Sequence, residues 1–178
     1  MKSDPLFTGP ELCRFEAHEV VALLKTGEIS TAELIDAALV RIAQTGPLIN
    51  ATPTLCEARA RAVDLSNRNS TAAGWLAGLP ITIKDLNAVS NVRTTFGTKG
   101  LADFIPQKGD PLVDQLEQRG AVILGKTNTP EFGAGGNTFN DVFGQTRNPW
   151  NTALNPGGSS GGAAASLAAG DIWLSHGS

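Results

Sequence analysis

Two short segments of the sequence carry residues that could do chemistry together. Lys84 follows the stretch Ile-Thr-Ile in GLPITIKDL, and Ser159 and Ser160 stand between two glycine pairs in NPGGSSGGAAASLAAG. An ammonium group at a buried strand end loses solvation, which lowers its pKa and lets the neutral amine act as a base. Serine–lysine pairs are an alternative to the Ser–His–Asp triad. The segments therefore predict such a pair, with two alternatives for Lys84: a salt bridge to Asp85 or Asp110, or snorkelling of its side chain.

The glycine–serine segment also has two structural interpretations. A Gly/Ser linker is flexible, but this segment runs directly into an alanine-rich stretch that predicts a helix over 161–169. A serine at a helix start can cap free amide groups, and Ser159 or Ser160 is predicted to do so. Capping does not account for four glycines, which indicate backbone crowding or unusual dihedral angles on both sides of the serines.

A second lysine motif suggests a different class of function. GAVILGKT, residues 120–127, matches the phosphate-binding loop pattern letter for letter. On that hypothesis the chain is a nucleotide-binding domain, with Lys126 on the phosphates and Thr127 on magnesium. A phosphate cradle needs a loop that leads into a helix, whereas Ala-Val-Ile-Leu favours a strand and the following Asn-Thr-Pro does not continue as a helix. The sequence therefore favours a buried strand here.

The composition is that of one globular domain and excludes several classes of function. Of 178 residues, 41% are hydrophobic and 17% charged, with a net charge of −3 and no basic block, so no nucleic-acid partner is expected. Cys13 and Cys56 are too few and too far apart for a disulfide framework or a zinc site, and His18 and His176 lack metal-ligand partners at helical spacing. No metal or other cofactor is expected. Because signal-peptide and membrane-length apolar stretches are missing, a soluble, cytoplasmic protein with no membrane partner is expected.

The elements that must position Lys84 and the serines follow from hydrophobic periodicity. Three helices are predicted first, over 16–26, from a capping box of Ser30 and Glu33 to QTGP at 44–47, and over 56–67. Two strands are predicted next, over 81–83 and 121–128, and between them a helix over 109–120 with Asp110 as its cap. The chain then continues with a loop over 129–158, the helix over 161–169 and a strand over 172–174. This order predicts an α/β sheet with helices packed on it.

The chain resembles the amidase signature family over essentially its whole length. The resemblance is carried by three segments in this order: GLPITIKDL, GAVILGKTNTPEF and NPGGSSGGAAASLAAG. The resemblance implies the amidase-signature fold, a mixed central β-sheet flanked by helices. It also implies hydrolysis of a small-molecule carboxylic amide through a Ser–cis-Ser–Lys triad, without a cofactor. Lys84 matches the catalytic lysine of the family, and Ser159 matches the bridging serine, which follows a cis peptide bond.

The same resemblance implies that the nucleophilic serine lies outside this sequence. In the family the nucleophile follows the bridging serine by about 24 residues, in an Asp-x-Gly-Gly-Ser segment that also supplies the oxyanion hole. Counted from Ser159, that position is about five residues past Ser178. Ser175 and Ser178 lack the flanking glycine pair, so neither is expected to be the nucleophile. We therefore expect a single incomplete amidase domain, with a helical lead-in over 1–70 and the start of the core over 71–178. We expect it to be inactive alone and poorly stable, with an unpaired edge at the strand over 172–174.

Three alternatives to a plain amidase stay open. The first is the amidotransferase subunit that releases ammonia from glutamine for tRNA-bound glutamate, which would need partner subunits. The second is a non-catalytic remnant that keeps the scaffold, and the third is the nucleotide-binding domain.

One loop of the sequence is a candidate for the substrate pocket. The loop over 131–147 is expected to line the pocket, with Asn137 as a candidate substrate contact and a turn residue as the alternative. Asn128 and Glu131 match the family's Lys-Thr-Asn-x-x-Glu-Phe block and are expected to be structural. A homodimer of the full-length protein is a further expectation.

Overall fold

The computed structural model describes residues 7–66 and 70–178. Its amino-terminal part contains helices α1 (Ala17–Thr26) and α2 (Thr31–Ile49), strand β1 (Thr54–Leu55) and helix α3 (Glu57–Arg61). The remainder contains β2 (Pro80–Lys84), α4 (Pro111–Gln118), β3 (Val122–Thr127), β4 (Phe139–Asn140), β5 (Gly144–Gln145) and α5 (Gly161–Ala168). Single turns of 3-10 helix lie at Glu11–Arg14, Lys99–Leu101 and Glu131–Gly133. No helix in the described ranges is long and apolar enough to cross a membrane.

The central sheet is mixed and has the strand order β1-β3-β2. Strand β1 runs antiparallel to β3, whereas β2 runs parallel to β3 and reaches it through a crossover that contains α4. The β2–β3 register shifts by one residue, since Ile81 pairs with Ile123 but Thr82 pairs with Gly125. Such a bulge moves the following side chains of one strand to the other face of the sheet. Beyond the bulge, Lys84 is the register partner of Thr127.

The two faces of the sheet pack against different buried side chains. One cluster joins Ile81, Ile83 and Ile123 to Val20 of α1, Leu34 of α2 and Val113 of α4. The other joins Val122 and Leu124 to Ile35, Ala38 and Ile42 of α2, Ala60 of α3 and Ile172. Strand β3 is therefore buried on both faces, which explains its continuous apolar run rather than an alternating pattern. The α/β class expected from the sequence is confirmed.

Helix α2 begins as predicted but ends later. Ser30 and Glu33 form the capping box, because the main-chain N–H of each donates to the side chain of the other at 2.8 and 3.2 Å. The predicted end at QTGP is wrong, since the helix continues through Pro47 to Ile49. A proline near the end of a helix removes only one hydrogen bond, and the last turn buries Ile49 against residues of α5.

Three other predicted elements are also corrected. Helix α3 ends at Arg61 rather than at residue 67, which lies outside the described residues. The segment 129–158 is not all loop, because it contains a 3-10 turn and the β4–β5 hairpin. Asp110 directly precedes α4 as predicted, but its side chain does not cap the helix. Its carboxylate accepts hydrogen bonds from the Asn87 side chain and the Ala88 N–H instead.

The predicted strand over 172–174 does not form, and the segment lies beside β2 without a regular ladder. The Thr82 N–H donates to Leu174 O at 3.2 Å, and the His176 N–H donates to Thr82 O at 2.9 Å. Thr82 and Ser175 thus form one isolated parallel bridge. Pro80, two residues before Thr82, has no N–H to extend the pairing. The segment therefore covers the outer edge of β2 at Thr82.

Candidate active site

The side chain of Lys84 is fully buried at the carboxyl end of β2 and contacts two serines. Its Nζ donates to Ser159 Oγ at 2.7 Å and to Ser178 Oγ at 2.9 Å. Among the described residues no carboxylate forms an ion pair with it, so the predicted alternative of a salt bridge to Asp85 or Asp110 is wrong. A buried lysine whose partners are hydroxyls loses water without gaining a counter-charge. This arrangement favours the neutral amine.

Ser159 is held in place by backbone contacts on both sides. The Gly158–Ser159 peptide bond is cis, and Thr129 Oγ1 donates to Ser159 O at 3.2 Å. A side chain at position 158 would come within 2.9 Å of Gly135 O and Asn137 N, so only glycine fits against that segment. The four glycines thus reflect backbone crowding at least in part.

Close contact also explains a glycine on the far side of the serines. A Cβ at Gly162 would lie 2.4 Å from the main-chain nitrogen of Asn128, well inside van der Waals contact. The first turn of α5 can therefore press directly on the chain that follows β3. This packing places the serine segment at the carboxyl end of β3, next to the end of β2 that carries Lys84.

The predicted capping role of the two serines is wrong. Helix α5 begins after Ser160, whose side chain makes no capping hydrogen bond. Ser160 Oγ instead accepts from the Ser178 N–H and donates to Ser178 O, both at 2.9 Å. Ser178 is thereby held beside Lys84, a contact that sequence reasoning missed because no motif marks the segment 171–178.

The surroundings of the site lower the pKa values of two basic groups, Lys84 and His176. Burial lowers the pKa of Lys84 below its ordinary value. Burial also lowers the pKa of His176, and the nearby charge of Lys84 lowers it further while Asp110 opposes both effects. His176 Nδ1 is buried and has no hydrogen-bond partner in the described part of the chain. Both groups therefore lose protons more readily than they would in water.

Asn137 lies in the wall of a cavity next to the serine segment. The cavity has a volume of about 470 Å³ and is lined by residues 97–99, 130–131, 134–137 and 139–141. Its wall adjoins the segment that carries Ser159, because the main chain of Asn137 packs against Gly158. Glu131 lines the same cavity. Asn128 lies elsewhere, fully buried, and its side chain bonds to Thr146 and Asn140, as a structural residue would.

The phosphate-loop interpretation of GAVILGKT does not fit the structure. Residues 122–127 form strand β3, and Lys126 is fully buried. Its Nζ donates to Asp85 Oδ1 at 3.0 Å, and to Asn87 O and Thr94 Oγ1 at 2.8 Å. With all three N–H groups used, nothing is left for a phosphate. Within residues 7–66 and 70–178, no group of three or more His, Cys, Asp or Glu side chains could hold a metal ion.

Comparisons with known proteins point to one family. The model of the amidase family matches residues 33–178. The A subunit of the glutamyl-tRNA(Gln) amidotransferase of Synechococcus sp. (strain CC9605) is 44% identical over 159 residues, which cover 87% of this chain and 32% of that protein.

Two solved structures are similar as well. The substrate complex of 6-aminohexanoate cyclic dimer hydrolase superposes with a TM-score of 0.82 at 33% identity, over 94% of this chain and 34% of the other. A bacterial aryl acylamidase of the amidase signature family gives a TM-score of 0.79 at 36% identity, over 89% and 34%. The chain spans about a third of the length of the curated relatives it matches. The family match over most of the chain shows that it belongs to the amidase family, the amidase-signature enzymes.

Proposed function

We propose that this chain supplies the proton-relay part of an amidase, which hydrolyses a small-molecule carboxylic amide to an acid and ammonia or an amine. The observation that carries the proposal is the 2.7 Å contact between the buried Nζ of Lys84 and Ser159 Oγ. A buried lysine among hydroxyls, with its pKa lowered by burial, is suited to act as a general base.

The contact supports a defined order of proton transfers. Neutral Lys84 accepts the proton of Ser159, and Ser159 accepts the proton of the nucleophilic serine that the family resemblance places about 24 residues later. That serine adds to the amide carbonyl, and the C–N bond breaks as the proton returns through Ser159 to the leaving nitrogen. Water then hydrolyses the acyl-enzyme, with Lys84 accepting a proton again.

The cavity beside Gly158 supports a role for Asn137 in substrate binding. It adjoins the serine segment and contains amide, carboxylate and aromatic groups, which could contact both polar and apolar parts of an amide. Asn137→Ala should therefore raise KM more than it lowers kcat, because it would remove a contact made equally in the ground and transition states.

A chimera tests the proposed function. Residues 1–178 replace the matching third of the aryl acylamidase, and hydrolysis of an aryl amide is measured against that parent enzyme. We expect hydrolysis that is lost in Lys84→Ala and in Ser159→Ala but kept in Lys25→Ala, an exposed lysine of α1. A folded chimera whose activity survives Lys84→Ala would contradict the proposal.

A second candidate function is that of the glutamine-dependent amidotransferase. It is favoured by the 44% identity to the Synechococcus amidotransferase, which exceeds the identity to the two hydrolase structures. A second chimera, built on that amidotransferase chain and expressed with its partner subunits, is assayed for release of glutamate from glutamine. Glutamine hydrolysis by this chimera, with no aryl amide hydrolysis by the first, would favour the amidotransferase.

A further inference from the structure

The motif GAVILGKT leaves a buried lysine that the proposed chemistry does not use. Lys126 forms the only fully buried ion pair of the described residues, with Asp85, the residue directly after Lys84. The second carboxylate oxygen of Asp85 accepts from the N–H of Thr95 at 3.0 Å and from its hydroxyl at 2.6 Å. Every charge in this cluster is therefore matched and hydrogen-bonded, as a buried pair requires.

Lys126 also fixes the chain that leaves Lys84. The Asn87 N–H donates to Lys84 O at 3.0 Å, which closes a tight turn at the end of β2. The carbonyl of the same Asn87 accepts from Lys126 Nζ at 2.8 Å. The main chain of Lys84 is thus connected to Lys126 through one turn and one hydrogen bond.

The sheet separates the two lysines, and Asp85 directly follows Lys84 in the chain. Lys126 is the register partner of Ile83, whereas Lys84 pairs with Thr127. Successive residues of a strand face opposite sides of the sheet, so Lys84 lies on the serine side and Lys126 on the other side with Asp85. A carboxylate one residue away would stabilise the ammonium form of Lys84 if no cation balanced it.

We propose that Lys126 is a positioning residue for Lys84: it neutralises Asp85 and fixes the turn after β2, so that the Lys84 amine faces Ser159 with no carboxylate competing for it. Lys126 touches neither substrate nor the reacting atoms, and it acts only through Asp85 and Asn87. The inference rests on the proposed role of Lys84 as the base. Other titratable groups face this network, namely Cys56 and Asp110 toward Lys126 and His176 toward Lys84.

The test measures the pKa of Lys84 directly, by NMR titration of the chain carrying isotope-labelled lysine, and compares Lys126→Met with Asp85→Asn. Lys126→Met leaves the Asp85 charge unbalanced, so the acid dissociation constant of Lys84 should fall by about threefold or more. Asp85→Asn leaves the Lys126 charge unbalanced and should raise that constant by a similar factor. The double variant, with neither charge, should titrate like the parent, and Lys25→Met is the matched control.

Unchanged titration of Lys84 in both single variants, with only a loss of stability, would overturn the inference, because a purely structural pair acts on folding alone. If either single variant does not fold, the same changes in the acylamidase chimera are read from the pH profile of kcat/KM. Its acid limb should move to higher pH in Lys126→Met and to lower pH in Asp85→Asn, and an unmoved limb would overturn the inference. The NMR measurement needs no activity, so its failure is distinguishable from failure of the proposed function.

Discussion

Lys84 and Lys126 lie near the carboxyl ends of neighbouring parallel strands, and both side chains are fully buried, yet their surroundings differ in kind. Lys126 donates to a carboxylate, a carbonyl and a hydroxyl. Among the residues that the structure describes, Lys84 donates only to two serine hydroxyls. Burial lowers the pKa of both amines, but the charge of Asp85 opposes this effect at Lys126, whereas no counter-charge opposes it at Lys84. Burial alone therefore does not mark a lysine for chemistry, because the charge of its partner decides.

Exchange of lysine for arginine at both positions should give the largest contrast. Arginine keeps the charge but does not deprotonate in proteins. Lys84→Arg should therefore lower kcat/KM of the acylamidase chimera by about 100-fold or more, the usual contribution of a general base. Lys126→Arg should keep most of the activity, because it can still pair with Asp85. Equal losses at the two positions would erase the distinction.

When stability is measured instead of activity, removal of the Lys126 amine should have the larger effect and removal of the Lys84 amine the smaller one. Lys126→Met leaves Asp85 buried and unpaired, which should lower the free energy of unfolding by about 3 kcal/mol. Lys84→Met replaces a buried amine that has no ion-pair partner among the described residues with an apolar side chain, and it should not destabilise the chain. Urea unfolding followed by circular dichroism at pH 7 checks both. A larger loss in Lys84→Met would show that its hydroxyl contacts matter more than its burial.

Asp171 extends the comparison to a buried acid. It is 1% exposed, Thr45 Oγ1 donates to its carboxylate at 2.7 Å, and burial raises its pKa to about 6, with Thr45 and Arg41 opposing. The folded state binds this proton more tightly than the unfolded state. The stability contributed by protonation is thus full below about pH 4 and lost as the pH rises through about 6.

Asp171→Asn should remove that dependence. At pH 7 the variant should be more stable than the parent by roughly 3 kcal/mol, and the difference should vanish below about pH 4. Thermal unfolding at a series of pH values provides the measurement. A constant difference across this range would show that the carboxylate is not the group that titrates.

The smallest effect is expected for a lysine on the surface. Lys99 pairs with Asp141 at 3.2 Å, but the two side chains are 72% and 80% exposed. Water and salt screen such a pair, so Lys99→Ala should change the free energy of unfolding by less than about 0.5 kcal/mol. The same unfolding assay gives the value, and a larger loss would mean that exposure is a poor guide to the worth of a charge pair.

The sequence was a good guide where the signal is local. The capping box at Ser30, the strand before Lys84 and the helix after Ser160 follow from short patterns, and the structure contains all three. The residue types of the two segments predicted a serine–lysine pair, but the choice of Ser159 over Ser160 as the partner of Lys84 needed the family resemblance. Their roles in catalysis stay predictions.

Features that depend on tertiary packing could not be predicted. A proline such as Pro47 often ends a helix, but α2 continues to Ile49, which is buried in a cluster with Ala165 of α5. The partner of Lys126 depends on the register between two strands that are far apart in sequence, which no local pattern specifies. The contact of Ser178 with Lys84 likewise depends on the hydrogen bonds of Ser160.

The extra residue in β3 has one more consequence. Ile81 pairs with Ile123, so an unbroken register would set Lys84 directly opposite Lys126. Two ammonium groups would then stand side by side on one face of the sheet, at a spacing where like charges repel. The single bulge prevents this like-charge contact, because it places the two lysines on opposite faces of the sheet. Deletion of one residue from β3 would do more than shorten a strand, since it would set two cations to compete for the serine site.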